Sequence, residues 1–374
     1  MTSDSESKLD WESIRSQFPV VEKHTYLNTG TYGPLPSDSL RVVSEIARLE
    51  VETGRAGGDY FGRIDNTRNS IARRLSTLLG ANTEDIVLTN ATTHGCQVVS
   101  TGLRLGLGDE IVTTDTEHHS FTTVLRATRA DLKIAAVRDT TQDDELVSRV
   151  AAQISAKTRL IALSHVSWID GRVLPLKKIA ELGLPVLVDG AQSVGSIPID
   201  VHELGCHFIV FPCQKWLLGP DATGGIYVHP DWHNKLDIAM PSYYGHEPFS
   251  GATVDTPLNG AARFSPGSIA LAALAPLDAS LALAENIGVA RFERAARLSQ
   301  YFRDALQERF EVATAPAQSS LISFDPGCNA EVMVKKLESD GIIVRTVSPD
   351  NWLRVSVGFW SNEADCAALL KAFD

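Results

Sequence analysis

Val186-Leu187-Val188-Asp189-Gly190-Ala191-Gln192-Ser193 and, downstream, Phe208-Ile209-Val210-Phe211-Pro212-Cys213-Gln214-Lys215-Trp216-Leu217-Leu218-Gly219-Pro220 are the segments whose reading decides the fold. Each opens with a short continuous apolar run and ends in polar residues and glycine. Continuous apolar strands, as opposed to alternating ones, belong to a sheet covered on both faces, and such sheets are largely parallel. Asp189 closes the first run, and Lys215 lies 26 positions later, just past the second. An aspartate ending one buried strand and a lysine beyond the next can face each other across a small cofactor. A lysine so placed can form a Schiff base with an aldehyde cofactor and carry a proton once a substrate displaces it. The carboxylate can hold a pyridine nitrogen protonated, which makes the ring an electron sink. Taken singly, Asp189 reads better as a turn cap and Lys215 as a surface lysine.

The pattern extends to both sides. Ile86-Val87-Leu88-Thr89, Ile111-Val112-Thr113-Thr114, Lys133-Ile134-Ala135-Ala136-Val137, Leu160-Ile161-Ala162-Leu163-Ser164 and Gly225-Ile226-Tyr227-Val228 read as further strands. Helices are predicted over His94 to Leu105, Asp144 to Ser155 and Leu176 to Leu182. Strands alternating with helices predict an α/β architecture around a mainly parallel sheet. Polar residues collect where the runs end: Asn90-Ala91-Thr92-Thr93, Glu117-His118-His119, Ser164-His165, Asp189-Gly190-Ala191-Gln192 and Gln214-Lys215. Ligands bind open α/β sheets at that carboxyl edge, so the five clusters predict one site.

Met240 to Pro266 is rich in Gly, Pro, Tyr and small polar residues. It reads as a long irregular segment of the kind that covers a site or meets another subunit. Helical spacing returns over Ala270 to Leu283 and Val289 to Phe310. Strands near Ser320-Leu321-Ile322-Ser323-Phe324 and Leu353-Arg354-Val355-Ser356-Val357, with helices at Ala330 to Ser339 and Asn362 to Phe373, complete an α+β tail. The expected organisation is an N-terminal segment, 1–25, packing with the small domain, a large cofactor-binding domain over 26–255, and a small C-terminal domain over 256–374.

The 374 residues allow two or three domains and a core that needs neither metals nor disulfides. Lys and Arg total 34 against 46 Asp and Glu, a net charge of −12 that argues against a nucleic-acid partner. No apolar run approaches the roughly 20 residues that span a bilayer, so no membrane partner is expected. The stretch Met1-Thr2-Ser3-Asp4-Ser5-Glu6 is acidic and polar, unlike a signal or transit peptide, and a cytoplasmic location is expected. The five cysteines are widely spaced with no CxxC pair, which predicts neither a disulfide framework nor a metal site. Cys213, two residues before Lys215, reads as a small buried strand residue.

Taken together, the segments resemble the class-V aminotransferase superfamily of fold-type I pyridoxal-phosphate enzymes. The resemblance runs from about Tyr26 to Phe373 and rests on the Val-Asp-Gly-Ala-Gln-Ser and Lys-x-x-x-Gly-Pro blocks. Within the superfamily the chain is most similar to the cyst(e)ine C–S lyases, with cysteine desulfurases and isopenicillin-N-epimerase-like proteins nearby. Tyr26-Leu27-Asn28-Thr29-Gly30-Thr31-Tyr32-Gly33-Pro34, Ser164-His165-Val166-Ser167-Trp168-Ile169-Asp170-Gly171-Arg172 and Gln214-Lys215-Trp216-Leu217-Leu218-Gly219-Pro220 carry that likeness. It implies a large domain with a mainly parallel seven-stranded sheet and a smaller α+β C-terminal domain.

The resemblance implies pyridoxal 5'-phosphate as cofactor, Lys215 as its Schiff-base lysine and Asp189 as partner of the pyridine nitrogen. Gln192 matches a donor to the ring hydroxyl, and His118 an imidazole stacked on the ring face; Lys215, His118 and Asp189 would be the catalytic set. A phosphate cradle is expected at Ala91, Thr92 and Thr93, where helix N-terminal amides and a hydroxyl suit an anion, with Gln214 adding a bond. Ser268 matches a hydroxyl that reaches the phosphate from the neighbouring subunit of a homodimer. Arg354 matches the arginine that clamps the substrate α-carboxylate, a task its planar fork suits. Asn28, Gly30 and Trp168 are expected around the same amino-acid substrate.

The chain also departs from the family. Pro212-Cys213-Gln214-Lys215 stands where Ser-x-His-Lys is usual, and Trp168 stands where many members carry Asn, although the C–S lyases also have Trp. Desulfurases place a mobile cysteine loop after the segment matching Val344-Arg345-Thr346. Here Val347-Ser348-Pro349-Asp350-Asn351-Trp352 runs directly into the Arg354 strand without a cysteine. Persulfide chemistry needs a thiolate there, so a desulfurase is disfavoured. The first expectation is a C–S β-lyase that turns cysteine or a cysteine S-conjugate into a thiol, pyruvate and ammonia. Decarboxylation-coupled oxidative deamination, epimerisation and transamination start from the same chemistry and stay open. A non-catalytic relative acting through protein contacts is opposed by the intact Asp189, Gln192, Lys215 and Arg354 set.

Overall fold

The structure, a computed structural model, describes residues 9–247, 256–348 and 350–374. Two short helices, α1 (Trp11–Ser16) and α2 (Val20–Lys23), and the strand β1 (Thr25–Tyr26) lead into two long helices, α3 (Ser37–Thr53) and α4 (Gly58–Leu79). The central sheet then begins with β2 (Ile86–Thr89), β3 (Glu110–Thr114) and β4 (Asp131–Ala135), connected through α5 (Thr92–Gly102) and α6 (His119–Ala127). It continues through α7 (Asp143–Ala151), β5 (Thr158–Ser164), α8 (Leu176–Ala180), β6 (Val186–Asp189), α9 (Val201–Leu204), β7 (Phe208–Pro212) and β8 (Gly224–Val228). The seven strands lie in the order β2-β8-β7-β6-β5-β3-β4. Only β8 runs against the rest, antiparallel to both β2 and β7.

The continuous apolar runs have a direct cause. Ile161, Leu163, Val186 and Val188 point into a core shared with α4, α7, α8 and α10 (Leu271–Ile287), while Leu160, Ala162 and Leu187 point into a second core under α5 and α6. Side chains alternate across a strand, so a sheet covered on both faces needs apolar residues at every position. The strand predicted over Lys133 to Val137 instead spans Asp131–Ala135. Its pairing with β3, from Glu110↔Asp131 to Thr114↔Ala135, overrides the apolar run, and at this edge Ile134 stays exposed.

The smaller unit holds a four-stranded antiparallel sheet of β9 (Glu311–Val312), β10 (Leu321–Asp325), β12 (Arg345–Val347) and β13 (Trp352–Ser356), in the order β12-β13-β10-β9. Helices α11 (Ala290–Gln307), α12 (Ala330–Ser339) and α13 (Glu363–Lys371) contribute Leu298, Phe302, Leu337 and Leu369 to its core. The strand β11 (Ile342–Ile343) pairs in parallel with β1. The N-terminal helices lie on this unit: Phe18 packs on Trp360 with ring centroids 5.4 Å apart, and Arg15 pairs with Asp365 at 2.8 Å. Residues 256–287 were expected to open the small domain, yet α10 buries Leu271, Leu274 and Leu277 in the core of the large unit. We therefore place the boundary at Gly288, where α10 ends. Among the described residues, no helix is long and apolar enough to cross a membrane. Residues 248–255, part of the irregular segment predicted over Met240 to Pro266, lie outside the described residues.

Candidate active site

The carboxyl ends of five strands meet at one cleft, lined among others by Thr92, His118, Ser164, Trp168, Asp189, Gln192 and Lys215. Asp189 is the last residue of β6, and Lys215 sits in the turn after β7. That turn is tightly held: the Cys213 N–H donates to the Thr223 carbonyl, the Gly219 N–H to the Cys213 carbonyl, and the Leu218 N–H to the Lys215 carbonyl. A Cβ at Gly33 would lie 2.1 Å from the Lys215 carbonyl oxygen, so only glycine fits there.

Electrostatics at the cleft are dominated by burial. Desolvation lowers the Lys215 amine to about 8, with Arg354 and Arg345 pushing the same way and Asp189 opposing. Burial raises the Asp189 carboxyl, which Lys215 and the Ala191 N–H (2.9 Å to Oδ1) partly offset. Both groups thus titrate closer to neutrality than they do in water, the condition for moving a proton between them and a ligand.

Gln192 bridges two segments. Its amide donates to the Gly30 carbonyl at 2.9 Å and its carbonyl accepts from the Trp216 indole at 3.0 Å. Gly30 in turn donates its N–H to Ser356 Oγ on β13 at 3.1 Å. The Asn28 side-chain oxygen accepts from the Thr31 hydroxyl at 2.8 Å, which helps hold this same segment.

Arg354 is fully buried. One terminal nitrogen donates to the Trp168 carbonyl at 2.7 Å, while Nε and Nη2 are buried without a partner. Burial, and secondarily the charge of Arg345, lowers its proton affinity to about 9. A guanidinium with two unfilled donors waits for a planar anion. The backbone of Gly30 makes room for it, since a Cβ there would come 2.7 Å from Arg354 Nη2. Gly30→Ala is accordingly expected to displace that nitrogen and raise KM about tenfold, with little change in kcat. Steady-state kinetics on the purified variant check this.

Arg345 was not singled out from sequence. It pairs directly opposite Arg354 on β12, lies 5.6 Å from the Trp168 ring and donates to Thr31 Oγ1. His118 caps α6: its Nδ1 accepts from the Ser120 N–H at 3.3 Å and meets Ser120 Oγ at 2.7 Å. An N–H can only donate, so Nδ1 is unprotonated and the ring hydrogen sits on Nε2. Burial and the positive charge of Lys215 lower His118 to about 3, leaving it neutral. Its ring meets Trp168 edge-on at 4.9 Å.

Other predicted residues stand apart. Ala91 is the N-cap of α5 and Thr92 reaches the cleft, whereas Thr93 is exposed outside it. Gln214 lines a separate apolar groove with Tyr26, Tyr32 and Pro220, its carbonyl accepting from the Gly33 N–H. Ser268 is exposed and outside the cleft, after a turn that Arg68 of α4 binds through Ser265 Oγ and the Gly267 carbonyl. None of the five cysteines lines the cleft. Glu117, to which the sequence assigned no role, is a further half-buried carboxyl at the same edge.

A family model described as aminotransferase class-V matches residues 42–349. A probable cysteine desulfurase of Halalkalibacterium halodurans is 30% identical over 406 residues, covering 96% of each chain. The cystine C–S lyase C-DES in complex with its reaction product, cysteine persulfide, superposes with a TM-score of 0.90 at 28% identity, over 96% of this chain and 99% of that one. A mutant of C-DES with glycine covalently linked to its pyridoxal-phosphate cofactor gives 0.91 at 27% identity, over the same shares of the two chains.

Proposed function

The chain belongs to the class-V aminotransferase family, and on that premise we propose that it is a C–S β-lyase. It binds pyridoxal 5'-phosphate at Lys215 and cleaves cysteine or a cysteine S-conjugate to a thiol, pyruvate and ammonia. The observation that carries this reading is the cleft itself. It combines a half-buried, desolvated amine, a buried carboxylate and an unfilled guanidinium, with no thiol on its walls.

The residues fit the cofactor. Asp189 offers its carboxylate to the pyridine nitrogen, the N-terminal amides of α5 with the Thr92 hydroxyl suit the phosphate, and Gln192 has an amide hydrogen left for the ring hydroxyl. Once bound, the cofactor supplies an electron sink for charge developing at the substrate α-carbon. Arg354 holds the α-carboxylate and so fixes which α-carbon bond faces the ring. With the substrate amine in its place on the cofactor, the Lys215 amine would take the α-proton and, as an ammonium, could return it to the departing sulfur. His118 is neutral with Nδ1 turned to Ser120, which supports a packing and orienting role for its ring.

A desulfurase needs a nucleophilic thiol at the substrate sulfur. The connection from β12 to β13 carries no cysteine. Cys96, Cys206, Cys213 and Cys366 are buried, and burial raises their thiols further from the reactive thiolate. A homodimer with shared sites is part of the proposal: Ser268 is exposed away from its own cleft, and Leu40 and Val51 of α3 and Phe61 of α4 are exposed apolar residues. Sedimentation of the cofactor-loaded protein at twice the chain mass is expected; a monomer with full activity would remove Ser268 from the site.

Attachment of the cofactor needs the neutral amine, so its rate is expected to climb with pH and level off above the Lys215 midpoint of about 8. Stopped-flow absorbance on the apo-protein checks this, and a plateau beginning only near the free-lysine value would contradict it. The reaction is tested by incubating the loaded protein aerobically with L-cysteine and several S-conjugates, then analysing products by mass spectrometry. Pyruvate, ammonia and a thiol support the lyase. Carbon dioxide with an aldehyde, and no pyruvate, would establish the decarboxylating deaminase instead; a D-amino acid would establish an epimerase.

A further inference from the structure

Glu117 sits between the end of β3 and His118, and no step above uses it. Its Oε1 accepts from Thr114 Oγ1 at 2.7 Å, and its Oε2 accepts from Ser164 Oγ at 2.5 Å. The Ser164 N–H reaches both oxygens, at 3.1 and 2.9 Å. Among the described residues, none of these partners is a cation. Ser164 is the direct cross-strand partner of Asp189, and partners in a parallel ladder project to the same face of the sheet. The three groups therefore stand in a row across the carboxyl edge: Glu117 at β3, the Ser164 hydroxyl at β5, Asp189 at β6.

We propose that Glu117 is a positioning residue whose charge tunes the proton shared between Asp189 and the ring nitrogen of the bound cofactor. This rests on the pyridoxal-phosphate reading. Two like charges in a region of low dielectric raise each other's proton affinity. A carboxylate behind Asp189 makes the protonated ring more favourable, and the protonated ring is the better electron sink. A neutral side chain could brace β3 against β5 equally well, but it could not supply that field. Burial and the Asp189 charge lift the Glu117 carboxyl to about 7, against the pull of the Ser164 and Thr114 donors. Its charge thus changes near neutral pH. The charged groups beyond it in the cleft are Asp189, Lys215, Arg345 and Arg354, with His118 neutral.

The test is a pH titration of the visible absorption band of the cofactor-loaded protein, with thermal unfolding alongside. In Glu117→Gln the proton-binding midpoint is expected to fall by about 1 pH unit, the usual effect of removing a neighbouring buried charge. Ser164→Ala takes one donor from the carboxylate, leaves it protonated over a wider range, and lowers the midpoint in the same direction by less. Lower melting temperatures with unmoved midpoints in both variants would reduce Glu117 to a brace and overturn the proposal, as would midpoints that rise. Wild-type protein with no visible band would instead fail the cofactor reading, so the two failures are distinguishable. If Glu117→Gln does not fold, Ser164→Ala decides the question.

Discussion

Lys215→Ala is expected to abolish the visible absorption of the cofactor-loaded protein and to lower kcat for C–S cleavage by at least about 10⁴-fold, the upper range for loss of one acid–base group. On the proposed reading Lys215 would be at once the covalent anchor and the group that moves the α-proton, and among the described residues of the cleft none is placed to replace it. Asp189 would be committed to the ring nitrogen on that reading, and His118 is held neutral by burial and Lys215, with Nδ1 occupied. An added small amine is expected to restore part of the turnover to Lys215→Ala without restoring attachment to the protein. Full kcat in the variant would remove Lys215 from the chemistry.

Arg354→Met is expected to act on binding and on stability in opposite senses. The value of kcat/KM should fall about 10²- to 10³-fold, the cost of removing one partner of a buried, hydrogen-bonded charge pair. The unliganded protein should become more stable by about 1–3 kcal/mol, because an unpaired buried guanidinium is replaced by an apolar side chain of similar length. The sign follows from linkage. The guanidinium releases its proton at about 9 in the fold, below its ordinary value of 12.5, so the burden of burying it is present in full below 9 and eases as pH rises above that. The stability gain should therefore be complete at neutral pH and shrink in alkaline buffer. Calorimetry of the apo-protein at two pH values, with steady-state kinetics, checks both parts. A variant that loses stability while keeping its KM would show that Arg354 is a structural arginine.

Much of this site was legible because its residues sit at the ends of local patterns. A run such as Val186-Leu187-Val188 reports burial on both faces, the polar residue after it marks the carboxyl edge, and Asp189 and Lys215 fall at two such edges. Gly30 and Arg354 were found through family likeness, and the structure adds why they go together: only a glycine leaves space for Arg354 Nη2. Gln214 shows the limit of that likeness, since a position in a motif does not say which cavity a side chain meets.

The central sheet, its mainly parallel sense and the edge at which the candidate site gathers could be read from consecutive residues, because strand burial and strand ends are local properties. The tertiary structure alone decided which distant groups share a neighbourhood. Arg345 became visible only when antiparallel pairing set it opposite Arg354. Glu117 falls in one of the polar clusters at the strand ends, but it has no legible role until β5 supplies Ser164 and β6 supplies Asp189. Helices α3 and α4 went unread, and α10, expected to belong with the smaller unit, packs into the core of the large one, because an apolar helix face does not name the surface that covers it. Proton affinities at the cleft have the same origin: desolvation and neighbouring charge are properties of the packed interior, set by segments far apart in the chain.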